Sequence, residues 1–191
     1  MSFIQPLKAK FYTIPKPIRA FLLRVIVVFI VWKVLYHTLL LPTQIPDAWL
    51  THISAKGASI LTSWLYPSTA ITVVQVADIA EQLFVNGKRT IGIAHNCNAL
   101  ELYVLYIGYI ICRPAPIKKR LIYIILGIVI IYLLNIIRIA GLGWLYLEHP
   151  RMVDFAHKYA FKAVVYFTIY LLWNEYSKQK NTAILEHPTT A

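Results

Sequence analysis

The sequence predicts an all-α integral membrane bundle of about four transmembrane helices, with one further interfacial or re-entrant helix and a small outer β-hairpin. Three observations predict it. Of 191 residues, 59% are hydrophobic and 14% charged, and the mean hydropathy is +0.61, values of a chain embedded in a bilayer. Four apolar runs approach the roughly 17 to 25 residues that cross a hydrocarbon core. The Lys and Arg behind the net charge of +11 cluster at the ends of those runs, which is the positive-inside pattern and argues against nucleic acid as a partner.

Residues 1–17 form a basic, Pro-broken lead, followed by an apolar run too long for a signal-peptide core and without a small-residue cleavage site. The lead is expected to be retained in the cytoplasm. The first span is expected over Ile18 to Leu41, the second from about Asn98 to Cys112, the third over Leu121 to Leu147, and the fourth over Tyr159 to Trp173. The segment Asp47 to Tyr66 carries Asp47, His52 and Lys56 among its apolar residues, so it is open between a true span and an interfacial helix. Charge decides against a crossing. Lys8, Lys10, Lys16, Arg19, Arg113, Lys118, Lys119, Arg120, Lys178 and Lys180 share the inner side if it does not cross, leaving only Lys56, Lys88, Arg89, Arg151 and Lys158 outside.

The whole chain, 1–191, then reads as a single membrane domain, with residues 42–96 as an outer segment and 174–191 as a cytoplasmic tail. Within the outer segment, β-branched stretches bracket Asn86-Gly87, a two-residue turn able to supply positive φ. A hairpin of Leu83 to Val85 against Arg89 to Ile93 follows. Its second strand delivers the chain to Cys97. A disulfide between Cys97 and Cys112 is not expected, because fifteen residues of helix would separate them by about 22 Å.

Three residues far apart in sequence reach the outer level. Cys97 sits at the mouth of the second span, Arg138 lies about 25 Å up the third, and His157 opens the fourth. A Cys with a His supplies a nucleophile and a proton shuttle, and an Arg supplies a permanent charge for an oxyanion or a carboxylate. Each has an ordinary reading as well: a packing thiol, a snorkelling Arg, a wet interfacial His. Glu101, one turn after Cys97, is placed to orient a partner or to pair with Arg138. Asn135 shares a helix face with Arg138 and is placed to hold its guanidinium or a substrate amide, or to act as interhelical glue. His95, Cys97, His149 and His157 form an alternative outer metal set, though their spacing fits no familiar ligand pattern. His37 and His52 read as interface residues, and Trp64, Tyr66, Trp144, Tyr146 and Trp173 as an aromatic belt.

Asn-Cys-Asn-Ala leading a span, Asn135-x-x-Arg138-Ile139 late in the next and His157 at the head of another resemble the exosortase/archaeosortase family of membrane-embedded cysteine transpeptidase-like enzymes. The resembling stretch runs from about Ile91 to Trp173. It implies Cys97, Arg138 and His157 as the catalytic set, with no metal or organic cofactor. Implied partners are exported proteins that end in a short motif, a hydrophobic span and a basic tail, together with membrane lipids. Implied location is the bacterial cytoplasmic membrane, multi-pass, with the active site on the outer face. Two departures stand out: many members have Ser-Gly where this chain has Asn98-Ala99, and many have about eight spans. Archaeal relatives carry Arg in place of His157, so the match is closer to the bacterial branch. The reading from another class is a non-enzymatic scaffold or assembly partner in which Glu101 and Arg138 merely pair between helices.

Overall fold

The computed structural model describes residues 15–77 and 80–185, the side chains of 77, 80, 96 and 179–185 excepted. Lys8, Lys10 and the Lys180 side chain therefore lie outside the described residues. Helix α1 (Lys16–Leu35) starts behind Pro15, with Pro17 in its first turn where a missing N–H costs nothing. It has no buried residue and presents Ile26, Val27, Phe29 and Ile30 outward, the inverse of a soluble helix and the pattern of a surface in contact with lipid. A π turn at Tyr36–Leu40 and a short helical stretch Leu41–Thr43 continue it. Gln44, in left-handed conformation with φ 50°, then redirects the chain into α2 (Ile45–Leu65).

Helix α2 buries Asp47, Thr51, Ser54, Ala55, Ala58 and Thr62, a helical stripe of small residues that allows close backbone approach. Its bulky face, with Trp49, Ile60 and Trp64, points outward. Three β-strands follow in antiparallel order: β1 (Ile71–Ala77), β2 (Ala80–Val85) and β3 (Lys88–Ala94). The expected hairpin lies inside β2 and β3, and Asn86 and Gly87 turn it with φ 51° and 71°. A register shift beside Leu83 leaves an extra residue in β3. The sheet exceeds the hairpin by β1, which pairs Ile71 with Val85; its β-branched ITVVQV run needed only a partner to be a strand.

After the turn His95–Cys97 come α3 (Leu100–Cys112) and α4 (Ile117–Glu148). Two short turns, Pro150–Met152 and Val153–Phe155, and a π turn, Ala156–Ala160, lead into α5 (Phe161–Leu185). Against expectation, α5 runs well past Trp173. Among the described residues α4 alone is long and apolar enough in itself to cross a membrane. Its 32 residues reach about 48 Å at 1.5 Å each, more than a hydrocarbon core of about 30 Å. The two ends pack differently.

At the first end, α3, α4 and α5 share a core of Tyr103, Tyr106, Ile110, Ile131, Val165, Ile169 and Tyr176. Tyr106 lies against Gly127, where an added Cβ would come within 1.9 Å of its ring, and its hydroxyl donates to the Tyr123 carbonyl at 2.7 Å. The far half of α4 packs against α2 and β3 around Ala55, Ala58, Ile93, Ile139 and Ala140. Helices α2 and α4 run the same way there. Tyr132 Oη donates to the Ile53 carbonyl at 3.1 Å, Asn135 Nδ2 to Ser54 Oγ at 3.1 Å, and Tyr66 Oη to Glu148 Oε1 at 3.1 Å.

Candidate active site

Strand β3 ends in extended backbone at Ala94, and the single turn His95–Cys97 carries Cys97 to the second core, against which it packs. Two helices, α4 and α2, hold the turn. Arg138, from α4, donates from Nη2 to the Cys97 carbonyl at 2.5 Å. Thr51, from α2, contacts His95 Nδ1 at 2.9 Å. Asn98 donates from Nδ2 to Asp47 Oδ1 at 2.7 Å and to the Asp47 carbonyl at 3.2 Å. Beyond it Ala99 takes φ 66°, and Asn98 Oδ1 accepts the Leu100 N–H at 2.9 Å, capping α3.

Cys97, Arg138 and His157 line one cavity of about 210 Å³, with Ile91, Gly92, Ile93, Ile139, Leu142, Val153 and Asp154. Four elements meet there: β3, the Cys97 turn, α4 and the turns ahead of α5. Among the described residues no hydrogen bond joins the Cys97 thiol to the imidazole. Arg138 Nε is buried and takes no partner among the described residues, so the guanidinium keeps donor capacity beyond its bond to the Cys97 carbonyl. His157 is held below its ordinary 6.5, first by burial and then by the charges of Arg138 and Lys162, with Asp154 pulling the other way. Its imidazole is therefore neutral at pH 7 and able to accept a proton.

The two supporting residues fall elsewhere. Glu101 is almost fully exposed and faces Lys33 at 3.8 Å rather than Arg138, which takes from the scaffold reading the ion pair it needed. Buried Asn135 bonds Ser54, the interhelical glue, and does not hold the Arg138 guanidinium. The alternative metal set is not assembled. His95 turns to Thr51 and His149 lies against Trp144 at 5.6 Å, and among the described residues no three of His, Cys, Asp and Glu gather as ligands.

Two features were missed in the sequence. Asp154, three residues before His157 and thus on its helical face, is part of the cavity wall; the DFAH spacing carried that signal. Asp47, read only as a polar residue in an uncertain segment, is 5% exposed and bonded to the residue after Cys97.

No curated protein and no solved structure matches the chain. The sequence model of transmembrane exosortases matches residues 15–174, from the start of α1 into α5 and across every wall of the cavity. The chain belongs to the transmembrane exosortase family.

Proposed function

We propose that the protein is a cysteine peptidase or transpeptidase that processes the C-terminal sorting signals of exported proteins at the outer face of the cytoplasmic membrane. Family membership supports a membrane transpeptidase role in general. The observation that carries the finer reading is the meeting of Cys97, Arg138 and His157, from three separate elements, on one cavity. His157 takes the thiol proton as Cys97 Sγ bonds to the scissile carbonyl carbon. The C–N bond then breaks, the proton passes to the leaving amine, and a thioacyl-enzyme remains. Water, or an amine or hydroxyl of a glycan or lipid, attacks that thioester and frees Cys97. Arg138 holds the Cys97 backbone and offers its remaining N–H to the oxyanion.

The protein crosses the membrane four times in this reading, through α1, α3, α4 and α5, as a single domain with both termini cytoplasmic. Helix α2 and the sheet sit outside. The test is processing of a host exported protein that ends in a motif, an apolar span and a basic tail. Cys97→Ala, which removes one small thiol, is expected to abolish cleavage and the acyl adduct in a protein that still inserts and folds, and Cys112→Ala to leave both intact. Equal losses at the two cysteines would overturn the assignment.

A further inference from the structure

Asp47 is a carboxylate buried near the start of α2 with no cation against it among the described residues. Burial of an ionisable group is costly unless it is hydrogen-bonded, and here each carboxyl oxygen accepts one bond. Oδ1 accepts from Asn98 Nδ2, and Oδ2 accepts from Tyr36 Oη at 3.1 Å. The Asp47 carbonyl accepts from Thr51 Oγ1 at 2.7 Å. Thr51 Oγ1 also meets His95 Nδ1 at 2.9 Å. Helix α2 thus grips the chain two residues before and one residue after Cys97. Arg138 grips the carbonyl of Cys97 itself.

We infer that Asp47 and Asn98 form a clamp that positions Cys97 toward the Arg138 and His157 wall, a role that rests on Cys97 being the nucleophile. Neither side chain lines the cavity, so both are positioning residues. Asn98 serves in two directions at once. Its amide N–H reaches α2, while its carbonyl oxygen caps α3 through Leu100. The nucleophile turn, the outer helix α2 and the start of the third helix are therefore registered through one residue. A chain with a shorter side chain after the cysteine cannot span that gap in the same way.

The experiment exploits the asymmetry between amide and carboxylate. Asn98→Asp keeps the cap on Leu100 but sets a second carboxylate against Asp47. Asp47→Asn keeps an acceptor for Asn98 and can pair with Tyr36 Oη as donor. The double variant Asp47→Asn with Asn98→Asp restores a donor and an acceptor across the gap. Hydrogen exchange over residues 94–102 and processing of the tailed host protein are both measured. Asn98→Asp is expected to speed exchange in that stretch alone and to lower kcat about 100-fold with KM unchanged, the loss typical of a small misplacement. Asp47→Asn and the double variant are expected to keep both near wild type. Wild-type exchange and kcat in Asn98→Asp, or a double variant as impaired as Asn98→Asp, would overturn the clamp. Should the wild-type protein process no tailed substrate, the exchange pattern and its rescue still decide the clamp, and the proposed function falls alone.

Discussion

At the scale of single residues, the proton acceptor is set by its neighbours. Burial and the Arg138 and Lys162 charges hold His157 below its ordinary value while Asp154 opposes them. Since a base works only when unprotonated, the acidic limb of kcat/KM is expected below the usual histidine range. Lys162→Gln removes a depressing charge and moves that limb up; Asp154→Asn removes a raising one and moves it down. A pH profile of processing in the three proteins checks this, and shifts of one sign for both would mean another group titrates. Arg138 answers to geometry instead. Its Nη2 is committed to the Cys97 carbonyl and its Nε is a second, buried donor, a fork that an ammonium on a flexible stem does not reproduce. Arg138→Lys is expected to lose about as much kcat as Arg138→Ala, on the order of 100-fold or more for a lost oxyanion donor. Activity retained in the lysine variant would reduce Arg138 to a distant charge.

At the scale of elements, close packing where α3, α4 and α5 meet depends on absent side chains. Gly127 lets the Tyr106 ring lie on α4, and any Cβ there meets the ring rather than a flexible chain end. Gly127→Ala is therefore expected to destabilise by about 1 to 3 kcal/mol, as overpacking does, seen as a lowered unfolding midpoint in detergent. Gly57 meets the flexible tip of Ile136, so Gly57→Ala is expected to cost less. The elements themselves were largely legible. Apolar runs of helical length became α1, α3, α4 and α5, and Asn-Gly marked the turn between β2 and β3. Strand β1 was legible only as a β-branched run, because pairing with β2 is what completes it as a strand. The catalytic candidates could be named because Cys97 stands at the mouth of one apolar run, Arg138 within the next and His157 at the head of another. Their supports were not legible: Asp47 and Asn98 lie 51 positions apart, and only the packing of α2 beside the Cys97 turn brings them together. Glu101 misled because helical spacing from Cys97 says nothing about the Ala99 backbone, whose positive φ separates the cysteine turn from the helix that follows.

At the scale of the whole molecule, charge and chemistry lie at opposite ends. One end gathers Arg24, Arg113 and Lys119, each donating to a backbone carbonyl of a neighbouring helix: Arg24 to Cys112, the last residue of α3, at 3.5 Å, and Arg113 and Lys119 to Ser177 and Tyr176 within α5 at 3.5 Å and 3.0 Å. Arg24 complements the negative end of α3. The other end holds the Cys97 cavity, the sheet and the Tyr66–Glu148 closure. Helices α1, α2 and the far half of α4 run in one direction, which fits the proposal that α2 extends the outer end. Basic residues favour the cytoplasmic side, which supports the proposed placement of the Arg113 end inward and the cavity outward. Single cysteines at Ser68 or Val153, in a chain lacking Cys97 and Cys112, are expected to react with a membrane-impermeant maleimide in intact cells, and one at Ala115 only after lysis. Labelling of position 115 from outside would invert the molecule and move Cys97, Arg138 and His157 to the cytoplasmic face, where an enzyme acting on exported tails has no substrate.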